Sequence, residues 1–258
     1  MLSLVIDANV YIGTWPLRQV TGGTAAEAIE MMDRYHIDKA FVSSMHGVMY
    51  RNSQEANYEL LREIRDHEER LIPFAVINPA YPGWEKDFID CIEVLDFKGV
   101  KIHPGYHGYR ISDDNVRRFF ELVATKGLPL SYSARMEEGI EHWALRGLIN
   151  PTGAEIDELF ERLPDLRLLI TDLMGFDEIF KHLVPRSNLY VDISHVRRSD
   201  ELEALCRRFG PDQLVFGTAF PFRYPDSPMV ALEYADLEPG AMEAIVESNA
   251  LNYLSGKE

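Results

Sequence analysis

Asp172, His103, Lys101 and Tyr132 are the side chains of this 258-residue sequence best equipped to move a proton. They are a carboxylate, an imidazole, an amine and a phenol, and such groups serve as general acids, bases and oxyanion donors. Each falls in or at the end of a short apolar run: "LRLLITD" (166–172), "GVKIH" (99–103) and "LPLSYS" (128–133). Similar residues follow other runs: Asp7, Asn9 and Tyr11 in "LVIDANVYIG" (4–13), Ser44 with His46, Asn78, Ser133, Asp192 with Ser194 and His195, and Thr218 beside Ala219. In such a set Asp172 acts as acid or base, Lys101 or His103 assists, and Tyr132 or Tyr11 donates to a developing oxyanion. Hydrolysis, decarboxylation and isomerisation of a small acid are all compatible with it.

The elements that must position these residues are legible as an alternation. β-branched runs recur at 4–8, 39–44, 72–78, 99–103, 128–133, 166–172, 189–194 and 213–218. They are nearly continuous in apolar character, as strands buried on both faces should be. Helical patterns separate them. The first opens at Thr24 with Glu27 three residues on, a capping box, and carries Ile29, Met32 and Tyr35 on one face. A second begins near Asn52, and a later one ends before Gly127. Strand-then-helix units in this number predict an α/β fold, a (β/α)8 TIM barrel forming a single domain over residues 1–258. A doubly wound open sheet is the competitor, but no glycine-rich phosphate loop follows the first strand. In a barrel, chemistry sits where strands end, which is where the residues above fall.

Composition excludes several classes. The 26 Lys+Arg against 42 Asp+Glu give a formal charge of −16, the wrong sign for nucleic acid or an anionic membrane surface. No apolar run is long enough to span a bilayer. The N-terminus lacks a basic region and a cleavage site, so a cytoplasmic location is expected. Cys91 and Cys206 form neither a zinc spacing nor a disulfide framework.

At this point the chain resembles the amidohydrolase-related family, the mononuclear-metal hydrolase and decarboxylase branch of the amidohydrolase superfamily. "GVKIHPGY" looks like that family's strand-four segment, "KGLPLSYS" its strand five, "LRLLITDLMG" its strand six, "QLVFGTAFPF" its strand eight and "IVESNALNYL" its closing helix. The resemblance implies a metal held by two histidines on strand one, one on strand five and an aspartate on strand eight. Asn9, Tyr11, Ser133 and Ala219 stand at those positions, and Asp172 replaces a strand-six histidine near the metal-bound water. The usual metal is therefore not expected, nor any other cofactor. A relocated metal would need three of His46, His103, Asp172 and His195 to converge.

The loops that follow the strands are rich in arginine and poor in acids. Arg18, Arg51, Arg110, Arg197, Arg198 and Arg223 lie in such loops, and Arg135 opens a longer one that also holds Glu137, Glu138, Glu141 and Trp143. Arginine suits bidentate recognition of carboxylate or phosphate, so a small anionic organic ligand is the expected partner. Asn9, Tyr11, Ser133, His195, Thr218, Trp143 and the arginines 18, 51, 110, 135 and 223 are its candidate binding residues. Trp143 suits a lid, or a contact in a homo-oligomer or with a related barrel. Three functions remain open: a metal-independent enzyme acting on a small carboxylate, a non-catalytic homologue serving as a binding protein or partner subunit, and a metal hydrolase with relocated ligands. The retained titratable groups favour an enzyme.

Overall fold

A computed structural model of the chain describes residues 4–136, 151–173 and 182–256. Eight strands form one sheet in chain order: β1 (Ile6–Ile12), β2 (Lys39–Ser44), β3 (Leu71–Val76), β4 (Gly99–Ile102), β5 (Pro129–Ser133), β6 (Arg167–Thr171), β7 (Leu189–Asp192) and β8 (Leu214–Val215). Each pairs in parallel with the next. Ala8 N–H donates to Phe216 O at 2.8 Å and Tyr11 N–H to Phe220 O at 2.8 Å, which brings β1 against the segment after β8. The expected eight-stranded barrel is the fold observed.

Local signals explain where helices begin. The helix Ala25–Tyr35 starts at the Thr24–Glu27 capping box, Ser53–Ile64 at Asn52, whose side chain accepts Gln54 N–H, and Gly153–Arg162 at a second capping box of Thr152 and Glu155. Caps of this kind contribute about 1 kcal/mol each. Among the described residues, no helix is long and apolar enough to cross a membrane.

Burial then sorts side chains by the pleat. Ile6, Ala8, Phe41, Phe74, Leu169, Tyr190 and Val215 form an inner cluster with Tyr253 of the helix Asn249–Ser255. A larger cluster packs the outer strand faces against the helices. Along β5, Ser131 reaches Tyr253 OH of the inner cluster at 3.0 Å and Ser133 reaches Asp172, while Leu130 and Tyr132 join the outer cluster. Side chains alternate across a strand, so Tyr132 faces away from Ser133. Two extents differ from the sequence reading. β1 runs on to Ile12, past a register shift between Asp7 and Val10, so Asn9 and Tyr11 lie within the strand. β8 is only Leu214–Val215, and the chain beyond it passes close to the site at Gly217. A Cβ on Gly217 would lie 3.0 Å from Asp192 Oδ2 and 3.2 Å from Asn9 Cβ.

Candidate active site

Asn9 holds the centre of the site. Its Nδ2 donates to Asp172 Oδ1 and to Asp192 Oδ2, both at 2.8 Å, and its Oδ1 accepts from Lys101 Nζ at 2.6 Å. An ionised carboxylate accepts and an ammonium donates, so the amide has one workable orientation. Strands β1, β4 and β7 and the residue after β6 thus meet at one side chain. All four residues are buried.

Asp172 is held on every side. Its Oδ2 accepts from Tyr11 OH at 2.5 Å, Ser133 Oγ at 2.6 Å and Thr171 Oγ1 at 2.9 Å. Its backbone lies in the left-handed region at φ +59°, which an L-residue adopts only when its surroundings impose it. Ala219 at the end of the neighbouring loop shares this conformation at φ +54°.

The charges do not balance pairwise. One ammonium, Lys101, faces the carboxylates of Asp7, Asp172 and Asp192. Burial pulls the Lys101 amine down to about 8, against the pull of those acids. Burial would raise Asp172, but Lys101 and the bonds from Ser133 and Tyr11 overcome it and keep the carboxyl below its usual range. Asp192 goes the other way, raised by burial and by the negative charge of Asp172. The two carboxylates share one donor and differ in proton affinity, Asp192 being the one raised. Burial also raises Asp7 to about 6, although Thr218 Oγ1 (2.6 Å) and the backbone N–H groups of Asn9 and Thr218 (both 3.0 Å) bond it.

The Asp7 shift has a measurable consequence. Between the ordinary value of 3.8 and about 6, the folded protein holds the Asp7 proton more tightly than the unfolded chain does. Stability therefore falls as pH rises through that window. Asp7→Asn should remove about 3 kcal/mol of this decline. Urea unfolding of both proteins across the window checks it. Parallel stability curves would contradict the assignment.

His103 is buried, and neither ring nitrogen has a hydrogen-bond partner among the described residues. Burial and the Lys101 charge keep the ring neutral, well below the usual imidazole range. It thus presents one donor and one acceptor, and Asp192 Oδ1 is likewise unpaired. Buried polar atoms without partners are uncommon and mark where a ligand's polar groups would fit. Above the polar layer, Tyr11, Trp15, Met45, Val48 and Met136 form an apolar cap flanked by Tyr106 and Phe222. Phe222 meets Tyr11 and Trp15 edge-on, with centroids 5.5 and 5.2 Å apart.

The structure gathers part of the expected residue set. Asn9, Tyr11, Lys101, Ser133 and Asp172 form one hydrogen-bonded cluster. Thr218 joins through Asp7, and His103 lies against Tyr11 with ring centroids 6.3 Å apart. His195 lies past the end of β7, where its Nε2 accepts Arg223 Nε–H at 3.1 Å. Tyr132 is not brought in: it sits on the outer face of β5, grouped with Tyr109, Arg110 and Glu155. Arg110 is also placed elsewhere, forked onto Glu155 at 2.9 and 2.6 Å. Arg18 lies over the Phe222 ring at 5.7 Å, Arg51 is exposed, and Arg135 is half-buried with an unpaired Nε. Trp143 lies outside the described residues. His46 is drawn to the side, where Nδ1 meets Glu59 at 2.6 Å and Nε2 accepts Thr14 N–H at 3.0 Å. The four relocated-ligand candidates are therefore not assembled. Among the described residues no group of three His, Cys, Asp or Glu is arranged to hold an ion. Asp7 and Asp192 were visible as strand-end acids but carried no role in the sequence reading. Asp192 closing "LYVD" was the available signal.

No curated protein matches the chain by sequence. Among solved structures it is similar to 2,6-dihydroxybenzoate decarboxylase from Rhizobium (16% identity, TM-score 0.73, 98% of each chain covered). It is similar too to a dihydroxybenzoic acid decarboxylase from Polaromonas sp. JS666 with bound manganese and the inhibitor 2-nitroresorcinol (16%, TM-score 0.71, 98% and 97% covered). A third is 5-carboxyvanillate decarboxylase from Novosphingobium aromaticivorans, also with manganese (16%, TM-score 0.73, 98% and 97% covered). At these identities the likeness establishes the fold alone. The Amidohydrolase family profile, however, matches residues 17–254. The chain belongs to the amidohydrolase family.

Proposed function

We propose that this protein decarboxylates a small organic acid by proton transfer within the Asp172–Asn9–Asp192–Lys101 network, without a divalent metal. One observation carries the reading: a single asparagine bridges two buried carboxylates of opposite proton affinity and also holds the ammonium. In the reaction, Asp192 gives its proton to the carbon from which the substrate carboxylate departs. The bond to that carboxylate breaks, its electron pair stays with the carbon skeleton, and carbon dioxide leaves. Water returns a proton to Asp192. Asp172 stays ionised as the basic partner that keeps Asp192 protonated, and Lys101 offsets the charge. His103 and Asp192 Oδ1 offer unpaired polar atoms to the substrate. The decarboxylases similar in fold, two of them with manganese, suggest this reaction class.

The donor set does not fit the metal of those relatives. Ala219 has no donor, Asn9 and Ser133 are neutral, and the Tyr11 phenol is raised well above its ordinary value by burial and by Asp172. The Lys101 ammonium sits among them, 2.6 Å from Asn9 Oδ1 and 3.9 Å from the Tyr11 ring centroid. A dication there would meet a like charge at short range in a medium of low dielectric. Lys101 is in this reading the resident cation of the site.

Small aromatic and aliphatic carboxylates should raise the melting temperature, and Arg135→Ala should weaken the rise. Thermal shift against a panel of such acids, with carbon dioxide release measured in parallel, is the test. No stabilisation by any acid would sink the anion site. A second reading, a non-catalytic binding or partner subunit, is favoured by the apolar cap over the polar layer. Stabilisation by an acid without any carbon dioxide release would select it.

A further inference from the structure

We propose that Lys101 is a covalent catalyst whose amine forms a protonated imine with the keto group of a small 3-oxo acid. The inference rests on the reading above that the barrel mouth receives a small carboxylate, and it names the substrate class.

The position of the amine carries it. Lys101 is buried in β4 beside Ser131 of β5, with Nζ at the centre of the polar layer. By contrast, Lys86, Lys98 and Lys126 form ion pairs with acids outside the barrel. A site without a metal needs another electron sink for the pair left behind when carbon dioxide departs. An iminium supplies one. It is also a cation, so converting the ammonium to an iminium leaves the balance against Asp7, Asp172 and Asp192 unchanged. Its N–H can keep the bond to Asn9 Oδ1, and the face of Tyr11 at 3.9 Å suits either cation. Burial lowers the amine to about 8, which leaves a usable neutral fraction at neutral pH.

The steps balance. The neutral amine adds to the keto carbon to give a carbinolamine. Asp192 protonates its hydroxyl, water leaves, and the protonated imine remains. The carbon–carboxylate bond breaks toward the iminium, giving carbon dioxide and an enamine. Asp192, reprotonated from water, protonates the enamine carbon. Hydrolysis of the resulting iminium releases the ketone and the amine. No external oxidant or reductant takes part.

Reductive trapping tests this. The intact protein is incubated with acetoacetate and sodium cyanoborohydride and digested, and the Lys101 peptide is weighed. The expected product is Lys101 carrying an isopropyl group, the reduced imine after loss of carbon dioxide, and Lys101→Arg should carry none. Adducts on surface lysines alone, or no adduct, would overturn the imine. Thermal shift separates the two claims. If carboxylates stabilise the protein and release carbon dioxide but leave no adduct, only the imine fails. If nothing stabilises the protein and nothing is trapped, the mouth reading fails as well.

Discussion

Lys101→Met is expected to cost about 3–5 kcal/mol of stability at neutral pH, the usual price of removing one partner from a buried charge cluster. The side chain loses its ammonium while its apolar stem is kept. Asp172 would then have burial raising its carboxyl and no Lys101 to lower it. Its pKa in the folded state rises relative to the parent protein's, although the bonds from Ser133 and Tyr11 remain. The stability that the ionised Asp172 contributes to the parent as pH rises should therefore be reduced in the variant. The gap to the parent protein should be largest near neutral pH and shrink as the pH approaches the ordinary carboxyl value of 3.8. Urea unfolding of both proteins at a series of pH values measures it. A gap of constant size would show that Lys101 contributes by packing, not by charge.

Asp192→Asn has the opposite profile. The asparagine oxygen can still accept from Asn9 Nδ2, and a buried acid raised by burial and by the Asp172 charge is removed. Stability at neutral pH should hold or increase. The proton donor is gone, however, and turnover should fall by about 10²–10⁴-fold, the range for loss of a general acid. In the parent protein, activity should decline as pH rises through the elevated Asp192 value, because the protonated form is the working one. Asp172→Asn is the contrasting variant. Its amide would face hydroxyls that now donate to a carboxylate, so it should lose stability as well as activity. Carbon dioxide release, with melts run alongside, reads both. Full turnover by Asp192→Asn would remove Asp192 from the chemistry.

Much of the fold was legible because its signals are local. The apolar runs mark the strands, and the Thr24–Glu27 box and Asn52 mark helix starts within a few residues of sequence. Grouping at the barrel mouth was legible for Asn9, Lys101, Ser133 and Asp172, since strand ends converge in a barrel. The failures have physical causes. Tyr132 and Ser133 are adjacent and face opposite ways; the alternation Leu130–Ser131–Tyr132–Ser133 sets the two serines on one face and Tyr132 with Leu130 on the other, a phase that naming both as site residues ignores. Arg110 was taken for a ligand-binding group because its partner Glu155 lies 45 residues away, at the start of another helix. Loop charge counted by sequence misses acids that fold back onto the loop. His46 follows β2 by two residues, but Glu59 of the helix Ser53–Ile64 holds it to the side. Asp192 gains its role only through Asn9 and Asp172, from strands distant in sequence. No local pattern could have shown that these two carboxylates share a donor.

In the proposed reading Lys101, and not a metal ion, supplies the positive charge at this mouth. Elemental analysis tests it most directly. Protein purified without chelators is incubated with manganese, zinc or iron, freed of unbound ion and assayed for metal per chain, beside Lys101→Ala treated in the same way. Far less than one ion per chain is expected in the parent protein, with carbon dioxide release unchanged by the added metals. More metal is expected in Lys101→Ala, where the carboxylates have lost their counter-charge. A stoichiometric ion in the parent protein, required for turnover, would contradict it.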